Sequence, residues 1–422
     1  MRDHSQHIEL PRATAVATML EHCSFAPGSE EVPVADAFGR TLASDVRALV
    51  TLPNCLTCSM DSVALHWDDF ANLEPGAVPN TSSWTRGVEW QFANTGVGMP
   101  EGFDTAIAIE NAEVSTDNQQ LVRILAAPSK QYAGTQAAGS RMHEGDLVAP
   151  AGTVVTPAVA AAIAGAGHTS VPVITKPRVA FIPTGNELVN PGTAVPRGKN
   201  IESNSLVIRG KVAAWDGVCT VWPIVPDDPR AIEATLREAC ATCDIVVLNA
   251  GSSKGSDDWA MELLEEMGTV LNHETDHGPG HHSSYAVVDG TPIVGISGPA
   301  LGAAFTTDFY LKPLIERWYG RSPEPVRVRA RLAAPFSAGG PGVKKPAGSK
   351  PGGEDRPAFE RTTPFYGIQF LTLTQGSDGV LEATPLPGRP SLTVFDTCDA
   401  YYPLDRSHMP QVGDLIEVEL RG

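Results

Sequence analysis

The segment Asn249-Ala250-Gly251-Ser252-Ser253-Lys254-Gly255-Ser256-Asp257-Asp258 joins a continuous apolar run, Ile245–Leu248, to an amphipathic stretch ending at Met267. Such a loop can cradle an anion. Gly251 and Gly255 let backbone N–H groups approach a phosphate closely. The hydroxyls of Ser252 and Ser253 and the ammonium of Lys254 add donors, and a helix starting after the loop offers its positive end. Its spacing is neither a Walker A loop nor a dinucleotide fingerprint. A flexible connection is the competing reading.

Carboxylates accompany the loop. Asp257 and Asp258 close it, Asp227 and Asp228 lie in Pro226-Asp227-Asp228-Pro229, and Glu187 ends Pro183-Thr184-Gly185-Asn186-Glu187. Carboxylates beside a phosphate suit a Mg²⁺ bridge. Asp228 and Asp257 also stand where helices begin, where they would act as caps. A histidine group follows, His273, His277, His281 and His282, with Asp276 among them. Gly278-Pro279-Gly280 excludes a helix there, so these side chains are expected as solvated loop residues or donors to an anion. Transition-metal ligation is the alternative. The spacings Cys55/Cys58 and Cys240/Cys243 resemble metal or redox pairs, but core or incidental occupancy is expected for both.

The elements that would position these groups follow from periodicity. Helices are expected over Pro11–Glu21, with Val16, Ala17 and Leu20 on one face, and from Thr156-Pro157 to Gly165. Pro33–Val50 reads as a turn followed by a short helix. Thr51 to Tyr132 is β-rich, with strands at Ala106–Glu110 and Leu121–Leu125. Strands at Arg178–Ile182, Gly217–Trp222, Asp244–Leu248 and Pro292–Ile296 alternate with helices at Ser203–Trp215, Asp228–Ala239, Asp257–Met267 and Pro299–Trp318. That alternation predicts an α/β fold of parallel units covered on both faces. Ser337–Arg356 is a Gly/Pro/Lys-rich insertion. Tyr366–Leu373, Val380–Ala383, Leu392–Phe395 and Leu415–Leu420 predict a small all-β module.

A chain of 422 residues exceeds one ordinary core, and about three or four units are expected. The net charge is −18, from 31 Lys and Arg against 49 Asp and Glu. So acidic a chain repels nucleic-acid phosphates, which excludes that class of partner. Any anionic ligand must be held locally. No stretch combines a basic start with an apolar core, and no apolar run approaches the ~18 residues that span a bilayer. A cytoplasmic location with no membrane partner is expected. Seven Cys in a long chain argue against a disulfide framework.

In this order the loops resemble the molybdopterin molybdenumtransferase family, the bacterial enzymes related to the E domain of gephyrin. Ala37-Phe38-Gly39-Arg40-Thr41-Leu42-Ala43-Ser44-Asp45-Val46 is similar to ALGRVLAEDV. Ser59-Met60-Asp61 with Val63-Ala64-Leu65 is similar to AMDGYAV. Thr95-Gly96 with Pro100-Glu101-Gly102-Phe103-Asp104 is similar to TGAPLPEGADAV. Thr184-Gly185-Asn186-Glu187-Leu188 is similar to TGDEL, Glu202-Ser203-Asn204-Ser205 to DSNS, and Val225-Pro226-Asp227-Asp228-Pro229 to VPDDP. The Gly/Ser loop is similar to SGGVSVGEYDY in its NAGSS variant.

The resemblance covers nearly the whole chain. It implies a central three-layer α/β/α molybdopterin-binding domain (173–322) with a mixed, mostly parallel sheet. A discontinuous N-terminal linker or dimerisation domain (1–50 and 133–172) would carry a β-rich inserted domain (51–132). A C-terminal β-barrel (323–422) would hold the flexible insertion 337–356. The implied activity is insertion of molybdate into adenylylated molybdopterin with release of AMP, assisted by Mg²⁺. The implied assembly is a homodimer whose site lies between the molybdopterin-binding domain of one subunit and the β-rich domain of the other. Finished cofactor would pass to cofactor-accepting apoenzymes.

By the same resemblance Asp61, Thr95, Glu187, Asp227 and Asp258 are catalytic, and Asp227, Asp228 and Asp258 hold the metal. Thr184, Gly185, Asn204, Gly251, Ser252, Ser253, Lys254, Gly255, Gly280 and His281 face the pterin nucleotide. The chain also departs from the pattern. Gly278-Pro279-Gly280-His281-His282 replaces KPGKP, so two ligand-facing lysines are missing. Ile296-Ser297-Gly298-Pro299-Ala300-Leu301-Gly302-Ala303 replaces LPGNPVSA, Gly139-Ser140-Arg141 replaces GED, Ser62 replaces the glycine of MDGYA, and Asn186 replaces the acid of TGDEL. Each lost charge-assisted hydrogen bond is worth ~1.5–3 kcal/mol, for which His281, His282, Lys254 or Arg141 would have to compensate. The alternative function is a non-catalytic carrier, chaperone or assembly partner that binds molybdopterin or the finished cofactor. A third reading is a His/Asp metal site between Asp276 and His282 serving a different reaction.

Overall fold

The computed structural model describes residues 8–249, 259–336, 365–388, 390–405 and 407–421. It divides into two compact units, Ser29–Val173 and Met1–Gly28 with Ile174–Gly422.

In Ser29–Val173, Val34, Leu42 and Val46 pack against Ala149, Val155, Ile163 and Val173. The helix Pro157–Gly165 begins where expected, with Thr156 Oγ1 accepting from Val159 N at 3.3 Å. The short helix expected within Pro33–Val50 is only a 3₁₀ turn, Val34–Asp36. After it the chain stays extended and bridges Thr41 to Val154 and Leu42 to Val173, which buries its apolar positions without a helical period. The strands Trp90–Ala93, Ser62–Leu65 and Thr105–Ala108 form an antiparallel sheet with Ser62–Leu65 central. Ala112–Val114 pairs with Leu121–Ile124. Val63, Leu65, Trp90, Ile107, Leu121 and Ile124 form one core.

The second unit opens with α1 (Arg12–His22). Its buried positions are Ala15 and Met19, with Val16 and Leu20 half-buried beside them. Ala17, expected on the buried face, is exposed. Then come β1 (Arg178–Pro183), α2 (Asn204–Ala214), β2 (Val218–Val221), α3 (Pro229–Thr242) and β3 (Ile245–Asn249). They are followed by α4 (Trp259–Met267), β4 (Thr269–Asn272), β5 (Ser284–Val288), β6 (Thr291–Gly295), α5 (Ala300–Tyr310) and α6 (Lys312–Trp318). The sheet order is β2-β1-β3-β6-β5-β4. β2, β1, β3 and β6 run parallel, β5 pairs antiparallel to β6, and β4 pairs antiparallel to β5.

Alternation along the central strands explains the three layers. Val179, Phe181, Ile245, Val247 and Val294 face one way, against α1, α2, α5 and α6. Ala180, Ile182, Val246, Leu248 and Ile293 face the other, against Ile232 and Leu236 of α3 and Leu263 and Leu264 of α4. Successive strand side chains point to opposite faces, so a run apolar at every position must be covered on both. The helix expected over Pro299–Trp318 is two helices. Pro313 lacks an N–H and its ring crowds the carbonyl four residues back, so the helix restarts at Lys312.

The C-terminal strands are β7 (Arg327–Leu332), β8 (Tyr366–Gln375), β9 (Leu381–Pro385), β10 (Ala400–Leu404) and β11 (Leu415–Leu420). They are paired in the cycle β8-β9-β7-β11-β10 and back to β8, a closed barrel. The apolar run Leu392–Phe395, expected within the all-β module, is a single helical turn. Ser391 Oγ accepts from Val394 N at 3.3 Å, and Phe395 packs on Phe370 with ring centroids 5.2 Å apart. The expected α/β architecture with a mixed sheet and a C-terminal barrel is the architecture of the chain. The 337–356 insertion lies outside the described residues. Among those described, no helix is long and apolar enough to cross a membrane.

Candidate functional site

Three parallel strands, β1, β3 and β6, end side by side, and buried polar groups close their C-terminal edge. Asn249, the last residue of β3, is 5% exposed, Thr184 is 5% exposed and Asn204 is 6% exposed. Asn204 Nδ2 donates to Asn249 Oδ1 at 2.7 Å and to Gly298 O at 2.8 Å. Asn249 Nδ2 donates to Ser297 O at 3.3 Å. Thr184 donates to Asn249 O from its backbone N at 3.1 Å and from its hydroxyl at 3.2 Å. Thr184 and Asn204 of the expected nucleotide-binding set are therefore brought together. Asn249 joins them, and its side chain ties α2 to the segment after β6. Its place as the last residue of an apolar strand was the available signal. In open α/β sheets ligands bind beyond this strand edge.

Asn204 opens α2, whose first turn is capped from one residue before the usual cap position. Ser203 occupies the cap position of α2 but makes no side-chain cap bond. Glu202, 7% exposed, accepts from Ser205 N at 2.9 Å and from Ser205 Oγ at 2.5 Å.

Gly185 N donates to Val225 O at 3.1 Å, which joins the Thr184–Glu187 loop to the Pro226–Pro229 loop. Its φ is +144°, and an added Cβ would meet the Glu187 carboxylate at 2.5 Å. Asn186 N donates to Asp227 Oδ2 at 2.8 Å, and Asp227 N donates back to Asn186 Oδ1 at 3.3 Å. An aspartate at position 186 would set two carboxylates against each other here; the amide instead pairs with Asp227. Lys199 Nζ donates to Asn186 O. Glu187 is exposed and Asp227 half-buried. Asp228 caps α3 as expected, its Oδ1 accepting from Ala231 N at 2.9 Å. The Gly/Ser loop with Gly251, Ser252, Ser253, Lys254, Gly255, Asp257 and Asp258 lies outside the described residues.

The histidine segment is not solvated loop. His277 is 1% exposed and His273 9% exposed, and His281 and His282 are half-buried. His277–Gly278 adds to β8 in parallel at Tyr366 and Gly367, which removes the segment from water. His277 Nδ1 lies 3.1 Å from Pro279 O and Nε2 lies 2.5 Å from the Tyr310 hydroxyl. A carbonyl only accepts, so Nδ1 carries the proton and Nε2 accepts from Tyr310. Burial pushes His277 down to about 3, with Arg12 acting in the same direction. Asp276 Oδ1 accepts from Arg12 N at 3.0 Å, and burial raises its pKa. Gly280 has φ +90°, and an added Cβ would sit 2.3 Å from the Thr306 methyl of α5. Only glycine fits that approach.

In the other unit, Asp61 Oδ1 accepts from Thr95 N at 2.9 Å and from Thr95 Oγ1 at 3.0 Å. Both residues are exposed. The Thr95 backbone bond, then its hydroxyl bond, hold the Asp61 carboxyl below the usual range. Thr95, expected to donate to an oxyanion, directs its hydroxyl proton to Asp61. Arg141 is exposed. The pairs Cys55/Cys58 and Cys240/Cys243 are free thiols. Burial raises Cys240 to about 11 and raises Cys243 as well, which leaves neither poised for redox chemistry.

Residues 10–167 match a family model described as the MoeA N-terminal region (domain I and II), and residues 180–317 match one described as a probable molybdopterin binding domain. The chain is 27% identical over 318 residues to molybdopterin molybdenumtransferase 2 of Mycobacterium tuberculosis, covering 70% of this chain and 76% of that protein. It is 27% identical over 244 residues to molybdopterin molybdenumtransferase of Bacillus subtilis, 57% of each chain. A molybdopterin biosynthesis MoeA protein from Pyrococcus horikoshii has the same fold, with a TM-score of 0.75 at 22% identity, covering 98% of this chain and 100% of that one.

Proposed function

This chain belongs to the molybdopterin molybdenumtransferase family of molybdenum cofactor biosynthesis, and on that premise we propose that it inserts molybdate into adenylylated molybdopterin and releases AMP. The observation that carries the reading is the buried Thr184–Asn204–Asn249 network at the C-terminal edge of the parallel strands. It fixes Asn249, where the Gly/Ser loop starts, and pairs the side-chain amides of both Asn204 and Asn249. A cradle that need not reorganise loses less on binding an anion.

Asn204 and Asn249 position the cradle, Gly251 to Gly255 hold the pterin phosphate, and Asp61 holds Thr95 in a fixed orientation. The donors on the Pro226–Pro229 loop are hard carboxylate oxygens, and Mg²⁺ typically takes one or two carboxylates with substrate phosphate oxygens. Asp227 and Asp258 would hold such an ion, while Asp228 is engaged as a helix cap. When bound, Mg²⁺ would neutralise charge on the phosphoanhydride.

Purified protein incubated with adenylylated molybdopterin, Mg²⁺ and molybdate should release AMP in a molybdate-dependent manner. Absence of AMP at every molybdate concentration would overturn the reading. A second reading, a non-catalytic binder of molybdopterin or finished cofactor, is favoured by one feature. The segment where the family carries two lysines holds Gly278 and His281, with Pro279 and Gly280 locked against His277 and α5. It predicts pterin binding by calorimetry with no turnover. The assembly is proposed to be a homodimer, for which light scattering should give twice the chain mass.

A further inference from the structure

Glu274, His281 and His282 bring a carboxylate oxygen and two imidazole nitrogens within 4.8 Å of one another. The Glu274 side chain is 3% exposed, and its Oε1 lies 2.9 Å from His282 Nδ1. The rings of His281 and His282 are 3.7 Å apart between centroids. The backbone fixes this arrangement. Thr275 N donates to His281 O at 2.8 Å, closing the segment into a loop. Ser283 donates to Gly280 O from its N at 3.0 Å and its hydroxyl at 2.8 Å. Glu274 and Thr275 pair in parallel with Glu9 and Leu10, so both flanks of the trio are tied down.

We propose that Glu274, His281 and His282 form a binding site for a divalent first-row transition ion of the Zn²⁺ type, separate from the Mg²⁺ carboxylates. Two imidazoles and one carboxylate are the donor set of such an ion, not of Mg²⁺, which takes oxygen ligands. Zn–N and Zn–O distances near ~2.1 Å in tetrahedral geometry put ligand atoms roughly 3.4 Å apart. The observed separations, all within 4.8 Å, lie close to that spacing. A buried carboxylate costs free energy unless it is paired or coordinates a metal. A third protein ligand completes a set that leaves a fourth position open to water or an oxyanion. Asp276 and His277, the other candidates in this segment, are engaged elsewhere, with Arg12 N and with Tyr310 and Pro279.

The full chain, with His4→Ala and His7→Ala introduced to remove competing imidazoles, would be dialysed against a chelator. It would then be titrated with Zn²⁺ by calorimetry and with Co²⁺ by visible absorption. A single saturable ion with d–d bands of low-coordinate Co²⁺ is expected. His281→Ala and His282→Ala should each weaken binding by about tenfold or more, and Glu274→Gln should do so while far-UV circular dichroism stays unchanged. His408→Ala, on an exposed turn, should leave affinity unchanged. Absence of saturable binding, or wild-type affinity in a folded His281→Ala/His282→Ala double variant, overturns the assignment; the Glu274–His282 contact is then only a carboxylate–imidazole contact within the protein.

Discussion

Asn204 Nδ2 donates to Asn249 Oδ1 across 2.7 Å, with both residues buried. The same amide also donates to Gly298 O at 2.8 Å. Asn204→Ala therefore leaves the buried Asn249 Oδ1 without its donor, whereas Gly298 is exposed and its carbonyl can turn to water. An unsatisfied buried acceptor costs ~1–3 kcal/mol, so the urea midpoint of Asn204→Ala should fall by an amount equivalent to ~1–3 kcal/mol. Asn204→Asp should be worse, because a carboxylate would face two acceptors and offer no donor. Wild-type stability in Asn204→Asp would remove this pair from any positioning role. Pterin-nucleotide affinity should fall in the same order.

Acidification should destabilise the chain through His277. The unfolded imidazole takes up a proton near its ordinary value of 6.5, whereas the buried native ring stays neutral to about 3. Between those values the unfolded state binds more protons, so stability rises with pH and is lost as pH falls. Above 6.5 this group contributes no slope. Full one-proton uptake gives about 1.4 kcal/mol per pH unit. Denaturant midpoints measured from pH 7.5 to pH 5 should drop below pH ~6.5. A His277→Gln variant that retains the fold should flatten that limb; an unchanged slope would assign the effect to other groups.

The α/β frame was legible because β1 and β3 are apolar at every position, from Val179 to Ile182 and Ile245 to Leu248, which only a doubly covered sheet explains. The cap at Asp228 was legible because aspartate before proline is a local signal. The histidine segment was not, because its burial comes from β8, about ninety residues further along the chain, pairing with His277–Gly278. No local pattern reports that. β10 is paired on both edges, by β8 and β11, yet Ala400–Leu404 carries Pro403 and is not among the strands expected from the sequence. Glu202 rather than Ser203 caps α2, because a carboxylate one residue earlier reaches both the N–H and the hydroxyl of Ser205.

Thr95→Val should separate two roles of the Asp61–Thr95 contact. The substitution keeps the backbone N–H that bonds Asp61 and removes the hydroxyl. The Asp61 carboxyl, held low first by the backbone bond and then by the hydroxyl, should titrate closer to its ordinary range without returning to it. Carbon-detected NMR across the acid range reads this directly. AMP release should fall while the thermal midpoint is unchanged, because both residues are exposed. Equal loss of stability and turnover would instead mark the contact as structural.

Asp227 and Asp228 are neighbours with different tasks, and single substitutions should resolve them. Asp228→Ala leaves Ala231 N without its cap, a loss of ~1 kcal/mol. It should lower the unfolding midpoint and leave the Mg²⁺ dependence of AMP release nearly unchanged. Asp228→Ser should restore most of the stability, since a serine hydroxyl caps comparably. Asp227→Asn keeps an oxygen able to accept from Asn186 N but removes a charge. Its stability should stay near wild type while the Mg²⁺ concentration for half-maximal AMP release rises by about tenfold, the equivalent of ~1.4 kcal/mol. If Asp228→Ala shifts the Mg²⁺ requirement and Asp227→Asn does not, the metal role belongs to Asp228 and its cap is incidental.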